Sequence, residues 1–213
     1  MEALELEGDD LVVDVGAGTG KFTRELVARG LRVTAVEPLA GMRAVLEREL
    51  PEVEAVEGAA EALPLADGVA AAITVAQAFH WFDEQRAMPE LRRVLRPDGG
   101  VALVWNVRDE SHEIHRAYAE TIRPYRGGDY PEMQRHARFF ADSDLFTPYV
   151  EREFEHVQLM DADGLVARAE SVSFIAALPE DERAALLERV RSLAPAGTFE
   201  FPYITRVFTC RSR

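Results

Sequence analysis

The feature that most constrains this chain is a short apolar run that ends in a cluster of glycines. Residues 11–15 read Leu-Val-Val-Asp-Val, and glycines follow at positions 16, 18 and 20. A continuous apolar run that stops at glycine is typical of a strand buried in a parallel sheet. Glycine lets the chain turn sharply and lets a ligand approach the backbone, because it has no Cβ and tolerates positive φ. A helical pattern over 22–28 follows, and the amides that open such a helix can receive an anionic group.

Short apolar runs alternate with helical patterns through the first half of the chain. Further strands are predicted over 32–36, 53–56, 70–76 and 101–105, and helices over 42–50 and 86–95. This alternation indicates βαβ units with right-handed crossovers and helices on both faces of the sheet. Two late strands, 151–159 and 203–210, flank a predicted helix at 180–193. The expected fold is therefore α/β and Rossmann-like, with a seven-stranded, mostly parallel sheet and a late antiparallel strand pair at its edge.

The composition limits the partners that we expect. The chain has 213 residues and a formal net charge of -14, which suits one core and argues against nucleic acid or an anionic membrane surface as a partner. Cys210 is the only cysteine, so an intrachain disulfide is excluded and a reducing cytoplasm fits. The acidic N-terminus lacks the basic start of a secretion signal, and no apolar run is long enough to span a membrane. We therefore expect a cytoplasmic protein with a small-molecule partner.

The spacing of the glycine loop favours one class of cofactor. A dinucleotide loop has the pattern G-x-G-x-x-G, which would place its third glycine at position 21, where this chain has Lys21. Nicotinamide enzymes usually keep the first strand apolar, whereas this one contains Asp14. A carboxylate at that place would lie near the amino group of the methionine part of S-adenosylmethionine (SAM). The loop therefore favours SAM, with a nicotinamide dinucleotide as the alternative.

The second strand ends in an acidic residue, Glu37. A carboxylate at this place can accept hydrogen bonds from both ribose hydroxyls of a bound nucleoside, and it would repel a 2′-phosphate. On its own, such a residue is equally consistent with a solvated acid at a strand end. With the glycine loop upstream, it indicates a ribose-binding residue and disfavours NADP.

Five segments in this order resemble a known family. They are Asp14–Thr23, Val36-Glu37-Pro38 with Met42, Gly58–Leu65, Gln77–Asp83 and Leu95–Gly100. Together they are similar to motif I, the acidic motif, the adenine loop, a subgroup signature and the turn before strand five of class I SAM-dependent methyltransferases, in the methyltransferase type 11 group. The signature at Gln77–Asp83 resembles the trans-aconitate methyltransferase-like subgroup. The resemblance covers residues 8–110 and is looser beyond them.

The resemblance implies a set of SAM-binding residues. They are Asp14, Gly16, Ala17, Gly18, Glu37, Pro38, Met42, Ala60, Glu61 and Gln77. The chain departs from the family at Ala59, where relatives often have an acid near the adenine amino group, so backbone contacts near Ala60 and Glu61 would have to serve. It also departs at the start, since only residues 1–10 precede the first strand and relatives carry a longer aromatic, arginine-rich segment. A more open site or a shortened chain is the expectation from that second departure.

Catalysis of methyl transfer depends mainly on holding donor and acceptor in line, and a base is needed only when the nucleophile must lose a proton. His80 is the candidate, because it follows the strand 70–76, whose carboxyl end should open onto the cleft. Structural packing beside Trp81 is the alternative for this histidine. Trp81, Trp105 and Arg108 are the residues predicted to bind the acceptor.

The segment 106–150 has no clean period and is predicted to be a lid or acceptor-binding segment of a single domain, 1–213. Its Arg108, Arg123, Tyr125 and Arg126 could line a pocket for an anionic acceptor such as a small carboxylate, and a solvated helical lid is the alternative. His112, His115 and His136 lack the spacing of metal ligands, so no metal is predicted.

Three functions remain open from the sequence. The leading expectation is SAM-dependent methyl transfer to a small molecule. A non-catalytic SAM-binding module of the same fold is the second, motivated by Ala59 and the short N-terminus. A nicotinamide-dependent oxidoreductase is the third, and Gly20 and Lys21 speak against it.

Overall fold

The computed structural model describes residues 4–109, 111–126, 140 and 143–213. The strands are β1 (Leu11–Val15), β2 (Arg32–Val36), β3 (Glu54–Val56), β4 (Ala70–Ala76), β5 (Leu95–Arg108), β6 (Val150–Met160) and β7 (Phe199–Arg211). The helices are α1 (Lys21–Val27), α2 (Ala40–Glu49), α3 (Glu84–Val94), α4 (Glu113–Ile122), α5 (Ala162–Glu170), α6 (Ser173–Ala176) and α7 (Glu180–Arg191). Two 3₁₀ turns cover Phe79–Trp81 and Arg123–Tyr125.

The seven strands form one sheet in the order β3-β2-β1-β4-β5-β7-β6. Strand β1 pairs in parallel with both β2 and β4, and β4 pairs in parallel with β5. The late strands β7 and β6 form the antiparallel part of the sheet, which confirms the predicted fold class. Because the strand order reverses direction on either side of β1, the carboxyl ends of β1 and β4 are where an open α/β sheet forms its ligand-binding crevice.

The described residues divide into two compact units. The first contains 4–105, 140, 143–152 and 206–213, and the second contains 106–126 and 153–205 with the gap at 110. The predicted single domain stays a prediction. The predicted lid segment 106–150 lies partly outside the described residues, and its described part, up to 126, belongs to the second unit.

The core of the first unit lies between β1 and β4 and the buried face of α3. Four apolar side chains of α3 are buried at helical spacing, namely Ala87, Met88, Leu91 and Val94. Asp83 caps this helix by accepting a hydrogen bond from the amide of Arg86. Burial of this stripe against the sheet is what holds the end of the helix beside the end of β4.

The element boundaries differ from the sequence prediction at β5. The predicted strand covers 101–105, whereas the observed strand begins at Leu95, which pairs with Ala70. The register then shifts before Ala72 pairs with Gly100. A bulge of this kind adds residues to one strand. These residues include Pro97, Asp98 and Gly99, which are typical of a turn, so the sequence pattern did not predict them as part of the strand.

Helices α4 and α5 of the second unit were not predicted. The buried residues of α4 are His115, Tyr118, Ala119 and Ile122, a stripe with the i, i+3, i+4, i+7 spacing of an amphipathic helix. His115 and Tyr118 are not counted as apolar when a sequence is searched for helical periodicity, so the stripe was not recognised. Tyr118 and Ile122 of this stripe pack in one cluster with Leu165 of α5 and Phe201 of β7. No helix among the described residues is long and apolar enough to cross a bilayer.

Candidate functional site

The glycine loop lies at the carboxyl end of β1 and is tied to the end of β2. Gly16, Gly18 and Gly20 all have positive φ, at 71°, 59° and 81°. The amides of Gly16 and Ala17 both donate to the carbonyl of Val36, at 2.9 and 3.2 Å. These bonds seat the loop against the second strand, directly beside Glu37.

The three glycines serve different purposes. A Cβ at Gly16 would lie 2.6 Å from the Cβ of Ala78, and a Cβ at Gly20 would lie 2.9 Å from Leu46. Packing therefore explains both positions. A Cβ at Gly18 would meet only the sulfur of Met42, at 4.0 Å. Gly18 thus borders open space opposite Met42, and its missing side chain leaves a cradle that a ligand can fill.

Glu37 connects the glycine loop to the turn after β2. Its side chain is nearly buried, with 4% exposed. One carboxylate oxygen accepts from the amide of Gly18 at 2.8 Å, and the other accepts from the amide of Leu39 at 2.9 Å. Each oxygen keeps further acceptor capacity, so the same carboxylate can also receive ribose hydroxyls. Pro38 lies in this turn, beside the carboxylate.

Asp14 lies beneath the loop and is fully buried. Its two oxygens accept hydrogen bonds from the hydroxyls of Thr23 in α1 and Thr74 in β4, at 2.7 and 2.9 Å. Burial raises the pKa of Asp14 to about 6, although both hydroxyls favour the ionised form. The carboxylate therefore joins β1, α1 and β4. Its predicted contact with the amino group of methionine stays a prediction.

The adenine loop, residues 58–65, follows β3. Ala60 is buried in the core of the first unit, and Ala59 and Ala62 form an isolated bridge. The side chain of Glu61 accepts a hydrogen bond from the amide of Asp83 at 2.7 Å. Glu61 thus attaches the loop to the start of α3, and any contact with a cofactor would involve its remaining acceptor capacity or its backbone.

The end of β4 carries a backbone outlier. Gln77 has a φ of 58°, which is rare for a residue with a side chain, and its amide is held by the carbonyl of Val104 at 2.9 Å. The next residue, Ala78, packs on Gly16 of the glycine loop. Strain of this kind clusters at ligand sites, so it supports Gln77 as a site residue.

The two predicted acceptor-site residues after Ala78 differ in exposure. Trp81 is 70% exposed, so most of its indole faces solvent. His80 is half-buried, and its ring lies 4.8 Å from the indole of Trp81. Both lie in the 3₁₀ turn that follows Ala78. The catalytic role of His80 stays a prediction.

The other two predicted acceptor residues lie elsewhere. Trp105 is only 6% exposed and packs edge-on against Phe208 at 5.7 Å, an arrangement that favours core packing over acceptor binding. Arg108 belongs to the second unit, where its guanidinium lies 5.4 Å from the ring centroid of Tyr118. This is a cation–π distance.

The remaining predicted groups of the 106–150 segment are partly described. His115 is fully buried, its Nε2 contacts the carbonyl of Pro202, and burial lowers its pKa. Tyr125 lies beneath the guanidinium of Arg189, and His136 lies outside the described residues. In the part of the chain that the structure describes, no three His, Cys, Asp or Glu side chains form a group that could hold a metal ion.

Sequence reasoning missed the groups that brace the site. Thr23 and Thr74 were not singled out, because a single threonine in a helix or strand carries no visible signal. Glu90 and Arg93 were missed as well, although their i, i+3 spacing on α3 is that of a salt bridge, and they bond at 2.8 Å. That spacing could have identified the pair but not the loop that it holds.

Comparison with known proteins shows the family and the fold. The methyltransferase domain family matches residues 13–103. An uncharacterized methyltransferase of Mycobacterium tuberculosis is 40% identical over 201 residues, which cover 91% of this chain and 80% of that protein. Among solved structures, the YcgJ protein of Bacillus subtilis superposes with a TM-score of 0.61 at 19% identity, covering 100% of this chain and 95% of that one. Geranyl diphosphate C-methyltransferase of Streptomyces coelicolor, solved with S-adenosyl-L-homocysteine, has a TM-score of 0.55 at 17% identity, covering 100% and 75%.

The two solved structures share the fold, and the mycobacterial relative shares enough sequence to show the family. The match to the family model begins inside β1 and ends inside β5, so it contains the glycine loop, Glu37 and the adenine loop. SAM is the methyl donor that this family implies. The chain therefore belongs to the class I SAM-dependent methyltransferases.

Proposed function

We propose that this protein transfers a methyl group from SAM to a small-molecule acceptor, using the crevice at the carboxyl ends of β1 and β4. The observation that carries the proposal is the arrangement of Gly18 and Glu37. Gly18 borders open space, and the buried carboxylate of Glu37 is fixed beside it by two backbone amides. An open space beside a fixed carboxylate suits a nucleoside, because the carboxylate can accept hydrogen bonds from the ribose hydroxyls.

The residues present fit SAM on three counts. Gly18 leaves the cradle for close approach, Glu37 supplies the ribose acceptor, and Met42, which is 43% exposed, offers an apolar surface for adenine. The backbone of Ala60 and Glu61 would bind the adenine edge, since Ala59 has no polar side chain. When bound, SAM supplies an activated methyl group on a sulfonium.

For the acceptor, we propose the surface formed by Gln77, His80 and Trp81. The exposed indole of Trp81 offers an apolar wall. His80, half-buried beside it, would accept a proton or orient a carboxylate. A small carboxylate is the proposed acceptor class, supported by the likeness of Gln77–Asp83 to the trans-aconitate methyltransferase-like signature. Carboxylate methylation needs no base, since the nucleophile is already ionised at neutral pH.

Calorimetric titration with S-adenosylhomocysteine tests the cofactor assignment. We expect saturable binding with one site, and weaker or no binding of NADH in a parallel fluorescence titration. Binding of NADH together with an absence of heat from S-adenosylhomocysteine would contradict the proposal and would favour the oxidoreductase alternative.

Transfer itself is tested with SAM labelled in its methyl group and a panel of small mono-, di- and tricarboxylic acids. The expected product is a methyl ester, which releases volatile labelled methanol after mild alkaline treatment. Binding of S-adenosylhomocysteine without labelled product from any acid, amine or phenol would instead support a non-catalytic SAM-binding module.

A further inference from the structure

We propose that Arg93, together with Glu90, is a positioning residue that holds the adenine loop in its binding conformation and thereby sets selectivity for adenine. The inference rests on the proposed SAM site and extends it to groups on the far side of the loop. Neither side chain is among the predicted cofactor residues. Both lie in the second half of α3, whose buried stripe fixes the helix on the sheet.

The contacts of Arg93 with the loop are numerous and short. Its Nη1 donates to the carbonyl of Leu65 at 2.8 Å and to the carboxylate of Asp67 at 2.7 Å. Its Nη2 donates to the carbonyl of Leu63 at 3.0 Å. One guanidinium thus holds two backbone carbonyls of the same loop, which its planar fork allows and a lysine ammonium cannot reproduce.

Glu90 completes the attachment. Its two oxygens accept from Nε and Nη2 of Arg93, both at 2.8 Å, and one of them also accepts from the amide of Leu63 at 2.9 Å. Both backbone groups of Leu63 are therefore bonded to the Glu90–Arg93 pair. The pair is about one quarter exposed, so water competes less than at an open surface, and bidentate geometry strengthens the bonds.

The opposite part of the loop is attached to the same helix. Glu61 accepts from the amide of Asp83, the capping residue at the start of α3. The segment 61–65 is thus held at one end by the start of α3 and at the other by its later turns. Side chains of α3 hold it in place, whereas the glycine loop is held by two backbone bonds to β2 and by the carboxylate of Glu37.

Selectivity follows from what the loop lacks. Ala59 stands where relatives often have an acid, so adenine recognition here depends on backbone groups of the loop. Backbone groups recognise a base edge only when the loop is held at the right place. Releasing the loop lowers the binding-competent fraction. This should weaken binding of the adenine form, whose 6-amino group would use the backbone acceptors of the loop, more than binding of an analogue that lacks this group.

The test compares S-adenosylhomocysteine with S-inosylhomocysteine by calorimetry. The variants are Arg93→Lys, which keeps the charge, and Glu90→Gln, which weakens the pairing. Arg92→Gln is the matched control, because Arg92 is the neighbouring arginine of the same helix and donates to the terminal carbonyl of Arg213. We expect Arg93→Lys to lower the affinity for S-adenosylhomocysteine about tenfold and to lower the affinity for the inosine analogue much less. Arg92→Gln should bind both ligands like the wild type.

Hydrogen exchange supplies the readout that a general loss of stability would not reproduce. Arg93→Lys should accelerate amide exchange at 58–65 and leave 16–20 unchanged. If the wild type binds no S-adenosylhomocysteine, the proposed function fails. If the wild type binds but Arg93→Lys keeps both the affinity and the preference for adenine, the positioning role is wrong while the proposed function stands. Should Arg93→Lys not fold, Glu90→Gln decides in the same way.

Discussion

The glycine loop and the adenine loop border the same proposed cofactor but are built differently. The glycine loop obtains its shape from its own backbone, with three residues at positive φ and two amides bonded to Val36. In the described adenine loop no residue has a positive φ. Its shape comes from side chains of α3, chiefly Arg93 and Glu90.

The difference explains why one loop can be recognised from sequence and the other cannot. A backbone-encoded loop needs particular residue types at particular spacings, so Gly16, Gly18 and Gly20 are visible as a motif. A loop held by distant side chains can have many different sequences, because the residue that holds it, Arg93, lies some 30 residues away in the chain.

The largest effect is expected at Glu37, whose carboxylate accepts from the amide of Gly18 in the glycine loop. Glu37→Ala removes the acceptor for the amides of Gly18 and Leu39 together with the proposed ribose acceptor. We expect the affinity for S-adenosylhomocysteine to fall at least about a hundredfold, because hydrogen bonds to a charged group are worth about 1.5–3 kcal/mol each. Glu57→Ala is the control for calorimetry, since this acid follows β3 and bonds to Arg43. Equal binding by both variants would contradict the role of Glu37.

Asp14 should give the next largest effect, on stability. Its pKa is raised by burial from 3.8 to about 6 in the folded chain, so folding favours the protonated form. This contribution is complete below about pH 4 and is lost as the pH rises through about 6. The unfolding free energy of the wild type relative to Asp14→Asn should therefore fall by about 3 kcal/mol across that window. Urea unfolding at a series of pH values measures it, and a constant difference would contradict the buried ionisation.

Gly18→Ala separates backbone strain from ligand approach. The added Cβ imposes a left-handed penalty of about 1–2 kcal/mol and narrows the space opposite Met42. Gly30→Ala imposes the same backbone penalty, since its φ is 77°, but has no neighbour within 4 Å and lies at the end of α1. Both variants should lose similar thermal stability, and only Gly18→Ala should lose affinity for S-adenosylhomocysteine, by about tenfold. A matching loss of affinity in Gly30→Ala would assign the effect to strain alone.

The smallest effect is expected at Met42. Met42→Ala removes the apolar surface proposed to cover adenine, and we expect the affinity for S-adenosylhomocysteine to fall about threefold to tenfold, in line with loss of part of a buried side chain. Val69→Ala is the calorimetric control, because Val69 is similarly exposed, at 40% against 43%. An unchanged affinity in Met42→Ala would remove this residue from the site.

The fold was predictable where the residue types of a segment fit only one kind of element. The strands β1, β2 and β4 are mostly apolar runs between turn residues, and the order of the motifs placed them in a parallel sheet. Helix α4 was not predictable from apolar periodicity, because its buried stripe includes His115 and Tyr118. Trp105 illustrates the same limit at the site, since an indole at a strand end can line a pocket or pack in the core, and here it packs against Phe208.

Hydrogen exchange of the wild type with and without S-adenosylhomocysteine tests the central claim most directly, namely that the two loops and Glu37 form one cofactor site. The account predicts that saturating ligand slows amide exchange at 16–20, at 37–42 and at 58–65, and leaves α7 (Glu180–Arg191) unchanged. Protection of the glycine loop without protection of the adenine loop would contradict the shared site. The absence of any ligand-dependent protection at 16–20 would contradict the assignment of SAM to this crevice altogether.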